Sequence, residues 1–140
     1  MIFVRNMASM DTPVSVSAAA TTVPFDTVAA QTNGACSFDA ADNAIVMAQP
    51  GRYSTSCTVQ VTTGSSAAAE VTLQLMSNGE EIAGDFVDLN IAASSSAPLT
   101  LSVPIHVEMA GTSDAKLSWV ITPSAAVSIE NAFATVQRIV

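Results

Sequence analysis

Between positions 52 and 62 the chain alternates with a period of two. Tyr53, Thr55, Cys57, Val59 and Val61 fall on one side, and Ser54, Ser56, Thr58, Gln60 and Thr62 on the other. Only an extended backbone sends successive side chains to opposite faces, so the pattern is that of a half-buried strand. Leu99, Leu101, Val103, Ile105, Val107 and Met109 repeat it against Thr100, Ser102, Pro104, His106 and Glu108. Pro104 has no N–H for a ladder, which places that strand at a sheet edge or gives it a bulge there. Shorter versions occur at Val71-Leu73-Leu75, Val87-Leu89-Ile91 and Leu117-Trp119-Ile121. Val and Ile together far outnumber Leu, an excess of β-branched side chains that favours a pleated surface.

Turn signals separate these segments. Asn33-Gly34, Pro50-Gly51 and Asn78-Gly79 mark tight turns, because Gly, and Asn less readily, accept positive φ. Stretches 63–68, 93–98 and 111–114 are small, polar connections. Counting outward gives about eight to ten strands at the spacing of a sandwich, with no convincing helix. The expectation is an all-β, two-sheet antiparallel sandwich. Residues 1–22 read as an N-terminal arm or linker with at most one short strand at 13–17, and residues 23–140 as the folded domain.

Composition excludes several partners. With 4 basic and 12 acidic residues the formal charge is −8. Arg5, Arg52, Lys116 and Arg138 are scattered, whereas nucleic-acid binding draws its affinity from clustered cations. Apolar runs such as 44–48 fall far short of the roughly 18 residues that span a bilayer. Met1-Ile2-Phe3-Val4-Arg5 lacks the ordered basic and apolar regions of a secretory signal. No N-x-S/T sequon occurs, which disfavours a glycosylated secreted protein.

Candidate chemistry is sparse. Cys36 and Cys57 permit one disulfide or two free thiols, and separate buried thiols are the favoured reading. His106 is the only histidine; it lies on the polar face of its strand, with no motif pairing it to a serine or cysteine nucleophile. Asp39, Asp42 and Asn43 form an acidic loop of the kind that holds Ca²⁺ weakly, but without the D-x-D-x-D-G spacing. Glu80, Glu81, Asp85 and Asp88 form a second acidic stretch around a turn, and Asp85 and Asp88 on a strand face opposite ways. Both stretches read as solvated loops. A carboxylate pair for glycoside hydrolysis is defined only by its separation in space, and Trp119, the only tryptophan, sits on an apolar core face rather than as a sugar platform. No catalytic, metal or cofactor residue is assigned.

Ala44-Ile45-Val46-Met47-Ala48 breaks the alternation by being apolar on both faces, and the chain closes with Arg138-Ile139-Val140. In a two-layer monomer the outer face meets water, so a neighbouring loop or a second subunit is expected to cover such strands. The low charge points toward self-association.

Taken in order, Val23-Pro24-Phe25-Asp26-Thr27, Cys36-Ser37-Phe38-Asp39, Ala44-Ile45-Val46, Pro50-Gly51-Arg52-Tyr53, Asn78-Gly79-Glu80-Glu81-Ile82 and Ala132-Phe133-Ala134-Thr135-Val136-Gln137-Arg138-Ile139 resemble the jelly-roll domains of the tumour necrosis factor and complement globular-head superfamily. The similarity is closest to bacterial and bacteriophage members, such as spore-filament tips and phage head fibres. Vertebrate members carry more aromatics where this chain has Thr55, Cys57 and Phe133. The resemblance implies a ten-stranded jelly roll forming a homotrimer. It implies a non-enzymatic structural or adhesion protein of the virion, a head fibre or capsid decoration, joined to a capsid or fibre protein through residues 1–22. The alternative is an extracellular or bacterial-surface tip that binds a host-surface glycan or protein. A carbohydrate-active jelly-roll enzyme ranks third.

Overall fold

A computed structural model describes residues 1–32, 34–64, 67–108 and 115–139. Ten strands form two five-stranded antiparallel paths. The first sheet runs β10 (Ser96–Val107), β7 (Gly51–Thr63), β12 (Val127–Arg138), β1 (Ile2–Arg5), β4 (Thr27–Gln31). The second runs β5 (Cys36–Asp39), β6 (Ala44–Met47), β11 (Ala115–Pro123), β8 (Ala69–Ser77), β9 (Glu80–Ile91). Two further short strands, β2 (Val14–Val16) and β3 (Thr21–Thr22), lie off these paths beside β12 and β11. The antiparallel jelly-roll sandwich is therefore as expected, with twelve strands among the described residues rather than eight to ten. Asn33 of the first turn, part of the 63–68 connection, Met109, the whole 111–114 connection and Val140 lie outside the described residues.

The alternation decides what faces inward. Tyr53, Cys57, Val59 and Val61 of β7 meet Leu73, Leu75, Leu117 and Trp119 of the second sheet in one core, each at most slightly exposed. Trp119 is fully buried and packs edge-to-face on Phe25, ring centroids 6.1 Å apart. Asn78 and Gly79, at φ 52° and 82°, make the tight β8–β9 turn, a conformation that costs glycine nothing and asparagine little.

The long edge strands are protected against pairing. β10 pairs with β7 in unbroken register through Pro98↔Gln60 and Pro104↔Ser54. A ladder intact past two prolines leaves their nitrogens toward the open edge, where no donor is required, so that edge lacks two of its donors. β9 carries an irregularity opposite Gln74–Met76, and Gln74 Nε2 fills it by donating to the carbonyls of Leu75 (2.8 Å) and Ile82 (2.9 Å). A kinked edge is a poor template for another strand.

Two expectations need correction. Residues 1–22 are not a free arm: β1 pairs with residues 133–136 of β12, and β2 with residues 127–129 of the same edge. Ile2, Val4 and Val16 are core residues. The strands are too short to show a period, and buried polar groups carry the turn between them. Asn6 Oδ1 accepts the Ser9 N–H (3.0 Å), and Ser9 Oγ donates to the Asn6 carbonyl (2.8 Å). Nor does the apolar 44–48 segment by itself require a second subunit. β6 is an interior strand in which Ile45 and Met47 face the core, Ala44 is only 4% exposed and Val46 is half-buried within the single chain.

Asp26 clasps this N-terminal segment. Its carboxylate accepts the N–H groups of Met7 (2.8 Å) and Ala8 (3.0 Å) and the Thr27 hydroxyl (2.7 Å). Desolvation pushes its pKa up, but the Thr27 hydroxyl and the two N–H groups outweigh it, leaving the value below the ordinary 3.8. A depressed folded value means that this clasp stabilises fully above the unfolded pKa and is lost as pH falls through the lower folded one. The Asp26 carboxyl resonance is expected to titrate with a midpoint below 3.8; a midpoint at or above it would mean the clasp does not form in solution.

Candidate functional site

The two outward faces differ in charge. On the second sheet, Asp39, Glu70, Asp88 and Lys116 point outward, with Asp42 in the turn between β5 and β6 and Glu80 and Glu81 at the start of β9. The outward face of the first sheet is built from Ser54, Ser56, Thr58, Gln60 and Thr62 of β7, flanked by Thr100 and Ser102 of β10 and by Phe133 and Thr135 of β12. Arg5 and Glu130 are the charged side chains near its middle; Arg52 and His106 stand together at one end.

Hydroxyls and amides on this face satisfy one another laterally. Thr58 Oγ1 and Thr100 Oγ1 are 3.0 Å apart, Gln60 Nε2 donates to Ser96 Oγ (2.6 Å), and Ser102 Oγ donates to Ser56 Oγ (3.2 Å). Phe3 and Phe133 meet edge-to-face across β1 and β12, centroids 6.1 Å apart. Such a face loses little on leaving water, because its polar groups already have partners and few charges must be desolvated. Three of its atoms, Arg5 Nε, Thr62 Oγ1 and Asn131 Oδ1, are buried without a hydrogen-bond partner, each an uncompensated cost of about 1–3 kcal/mol.

The other candidates are not brought together into a site. Cys36 and Cys57 are free, buried thiols on different sheets, and burial raises the pKa of both, which makes them inert rather than nucleophilic. Asp39 and Asp42 do converge, but on Lys116 Nζ, at 2.8 and 3.0 Å. Hydrogen bonds from the ammonium hold Asp39 below its ordinary value and raise Lys116. Asn43 leaves that loop to accept the Phe25 N–H (3.1 Å). Asp88 is engaged by the Thr72 hydroxyl, and Glu80 and Glu81 are exposed. No group of three or more His, Cys, Asp or Glu positioned for a metal occurs among the described residues, and no described helix is long and apolar enough to cross a membrane.

Sequence reading passed over the Ser/Thr/Gln face because each polar position looked like an ordinary solvent face. Its signal was the missing charge: 54, 56, 58, 60, 62, 100 and 102 include no Lys, Arg, Asp or Glu.

No protein-family model matches the chain, and no curated protein matches it by sequence. Solved structures do match in fold. The PRD1 vertex protein P5, a phage protein, is similar over 99% of this chain and 72% of its own, with a TM-score of 0.58 and 17% identity. The crystal structure of murine APRIL at pH 8.5, a tumour-necrosis-factor family member, is similar over 97% of this chain and 98% of its own, with a TM-score of 0.56 and 9% identity.

Proposed function

We propose that this chain, a TNF-like jelly roll of the fold shared with a phage vertex protein, is a non-enzymatic structural and binding module that assembles as a homotrimer on a bacteriophage virion. The observation that carries the reading is the sparsely charged outward face of β7, β10 and β12, set against the charged face of the second sheet. A subunit that buries one face keeps its charges on the other. An obligate interface of roughly 2,000–5,000 Å² would cover the Phe3–Phe133 pair. With the long edges of β9 and β10 blunted, pairing by faces is favoured over strand addition. Attachment to a capsid or fibre protein through residues 1–22 would use Met7 and Met10, the large apolar side chains that this segment leaves exposed.

The test is where the protein goes. Immunogold labelling and mass spectrometry of purified virions from a phage encoding it are expected to find the chain on the particle surface. Its absence from virions, with recovery from a cell surface instead, would overturn the virion placement in favour of a surface binding module.

A further inference from the structure

At one end of the sandwich, Arg52, Tyr53, Pro104, Ile105, His106 and Ile139 line a cleft of about 550 Å³. In a chain of net charge −8 with only 4 Lys and Arg, the state of each cation is informative. Lys116 is taken by Asp39 and Asp42. Arg138 donates Nε and Nη2 to the Pro50 carbonyl, at 3.1 and 2.9 Å, and Arg5 Nη2 lies 3.4 Å from Met10 Sδ. The Arg52 side chain is exposed and has no hydrogen-bond or ion-pair partner among the described residues. Directly across the ladder from it stands the only histidine, His106, also exposed.

The rest of the cleft is apolar and fixed. Beneath it, Tyr53 and Ile105 turn to the inner side of the sheet, and the buried Tyr53 hydroxyl donates to the Gln49 carbonyl (2.6 Å). Ile139, 60% exposed, is anchored by its N–H on the Arg52 carbonyl (2.7 Å). Pro104 completes the wall. Among the described residues the cleft lining contains no acid; Glu108 follows two positions past His106 in sequence. A guanidinium and an imidazole beside an apolar wall match one chemical class. We propose that this cleft binds a carboxylate borne on an apolar group, the carboxylate on Arg52 and His106 and the apolar body against Pro104 and Ile139. Planar guanidinium donors suit a carboxylate in geometry as well as charge. A peptide carboxyl terminus with an apolar last side chain and a free fatty carboxylate share this chemistry.

Arg52 and His106 stand at one end of the face that the trimer reading buries, so residue-specific signals report on the site while light scattering reports the mass of the same sample. The experiment titrates the full chain with N-acetyl-leucine, N-acetyl-leucine amide and hexanoate, following the His106 ring and Arg52 side-chain resonances. N-acetyl-leucine is expected to shift both saturably in the millimolar range, with the amide at least about tenfold weaker. Arg52→Gln and Ile139→Ser, with unchanged circular dichroism, are each expected to weaken it, Arg52→Gln by about tenfold. Hexanoate binding more tightly than N-acetyl-leucine supports the site with a fatty carboxylate as its ligand; the reverse order supports it with a peptide terminus. Equal binding of acid and amide, no effect of Arg52→Gln, or no saturable shift up to tens of millimolar would overturn the proposal.

Discussion

Replacing Thr58 by glutamate is expected to convert the assembly into single chains. Thr58 lies mid-face, 3.0 Å from Thr100 across one ladder and opposite Phe133 across the other. If that face meets other subunits, the new carboxylate has to leave water with no cation provided for it, a penalty of several kcal/mol per ion. Three-fold symmetry would repeat the penalty in every subunit and add repulsion between copies. Light scattering at micromolar concentration should therefore read three times the 14.3 kDa chain mass for the parent and 14.3 kDa for Thr58→Glu. Circular dichroism should be unchanged, because position 58 points away from the core. Thr122→Glu, exposed on the outward side of the second sheet, should leave the mass alone. A trimeric Thr58→Glu would place the interface elsewhere, and a parent of single-chain mass would remove the trimer altogether.

The largest loss of stability is expected at Trp119. Its side chain is fully buried, stacked edge-to-face with Phe25 and lying across from Leu75 of β8. Trp119→Ala should cost about 3–5 kcal/mol by lost contacts and the cavity left behind. That is a large fraction of the roughly 5–15 kcal/mol holding an ordinary domain, and should lower Tm by on the order of 10 °C. Trp119→Phe separates two effects. It keeps a ring against Phe25 while removing the indole N–H, which is buried without a partner and costs about 1–3 kcal/mol where it stands. Denaturant unfolding at one fixed protein concentration, since assembly makes stability concentration-dependent, should find the Phe variant losing less than half of what the Ala variant loses. Equal losses would show that the nitrogen is satisfied and the ring contact is minor.

Long-period features were legible in the sequence. The thirteen-residue β7 and twelve-residue β10 carry enough alternations to define both strand and face; of the edge or bulge that Pro104 allowed, β10 is the edge. Trp119 was placed in the core by its neighbours Leu117 and Ile121 alone. Features made by distant partners were not legible. Four-residue β1 and three-residue β2 show no period, and what makes them strands is the edge of β12, more than a hundred positions away. The acidic 39–42 loop looked solvated because the cation it holds, Lys116, is 77 residues along. The apolar 44–48 run suggested an external cover because its interior place beside β5 and β11 depends on pairings that no local pattern encodes. The candidate face was readable only as an absence, a solvent-like row of side chains without charge. The Arg52–His106 cleft needed the register of β7 on β10 to exist at all.

The position of β12 also sets when the molecule can fold during its synthesis. It is the shared neighbour of β7 on one side and of β1 and β2 on the other, so the earliest strands to leave the ribosome wait for one of the last. At typical translation rates of about 5–20 residues per second, that wait is on the order of ten seconds. Until then β7 is exposed with apolar side chains and, even once β10 has paired with it, one open edge, a state in which strands from neighbouring nascent chains pair wrongly. Polysomes carrying many copies of this message would thus crowd together half-made sandwiches, and the yield of folded protein should depend on how quickly β12 is delivered and on chaperones that cover β7 until then.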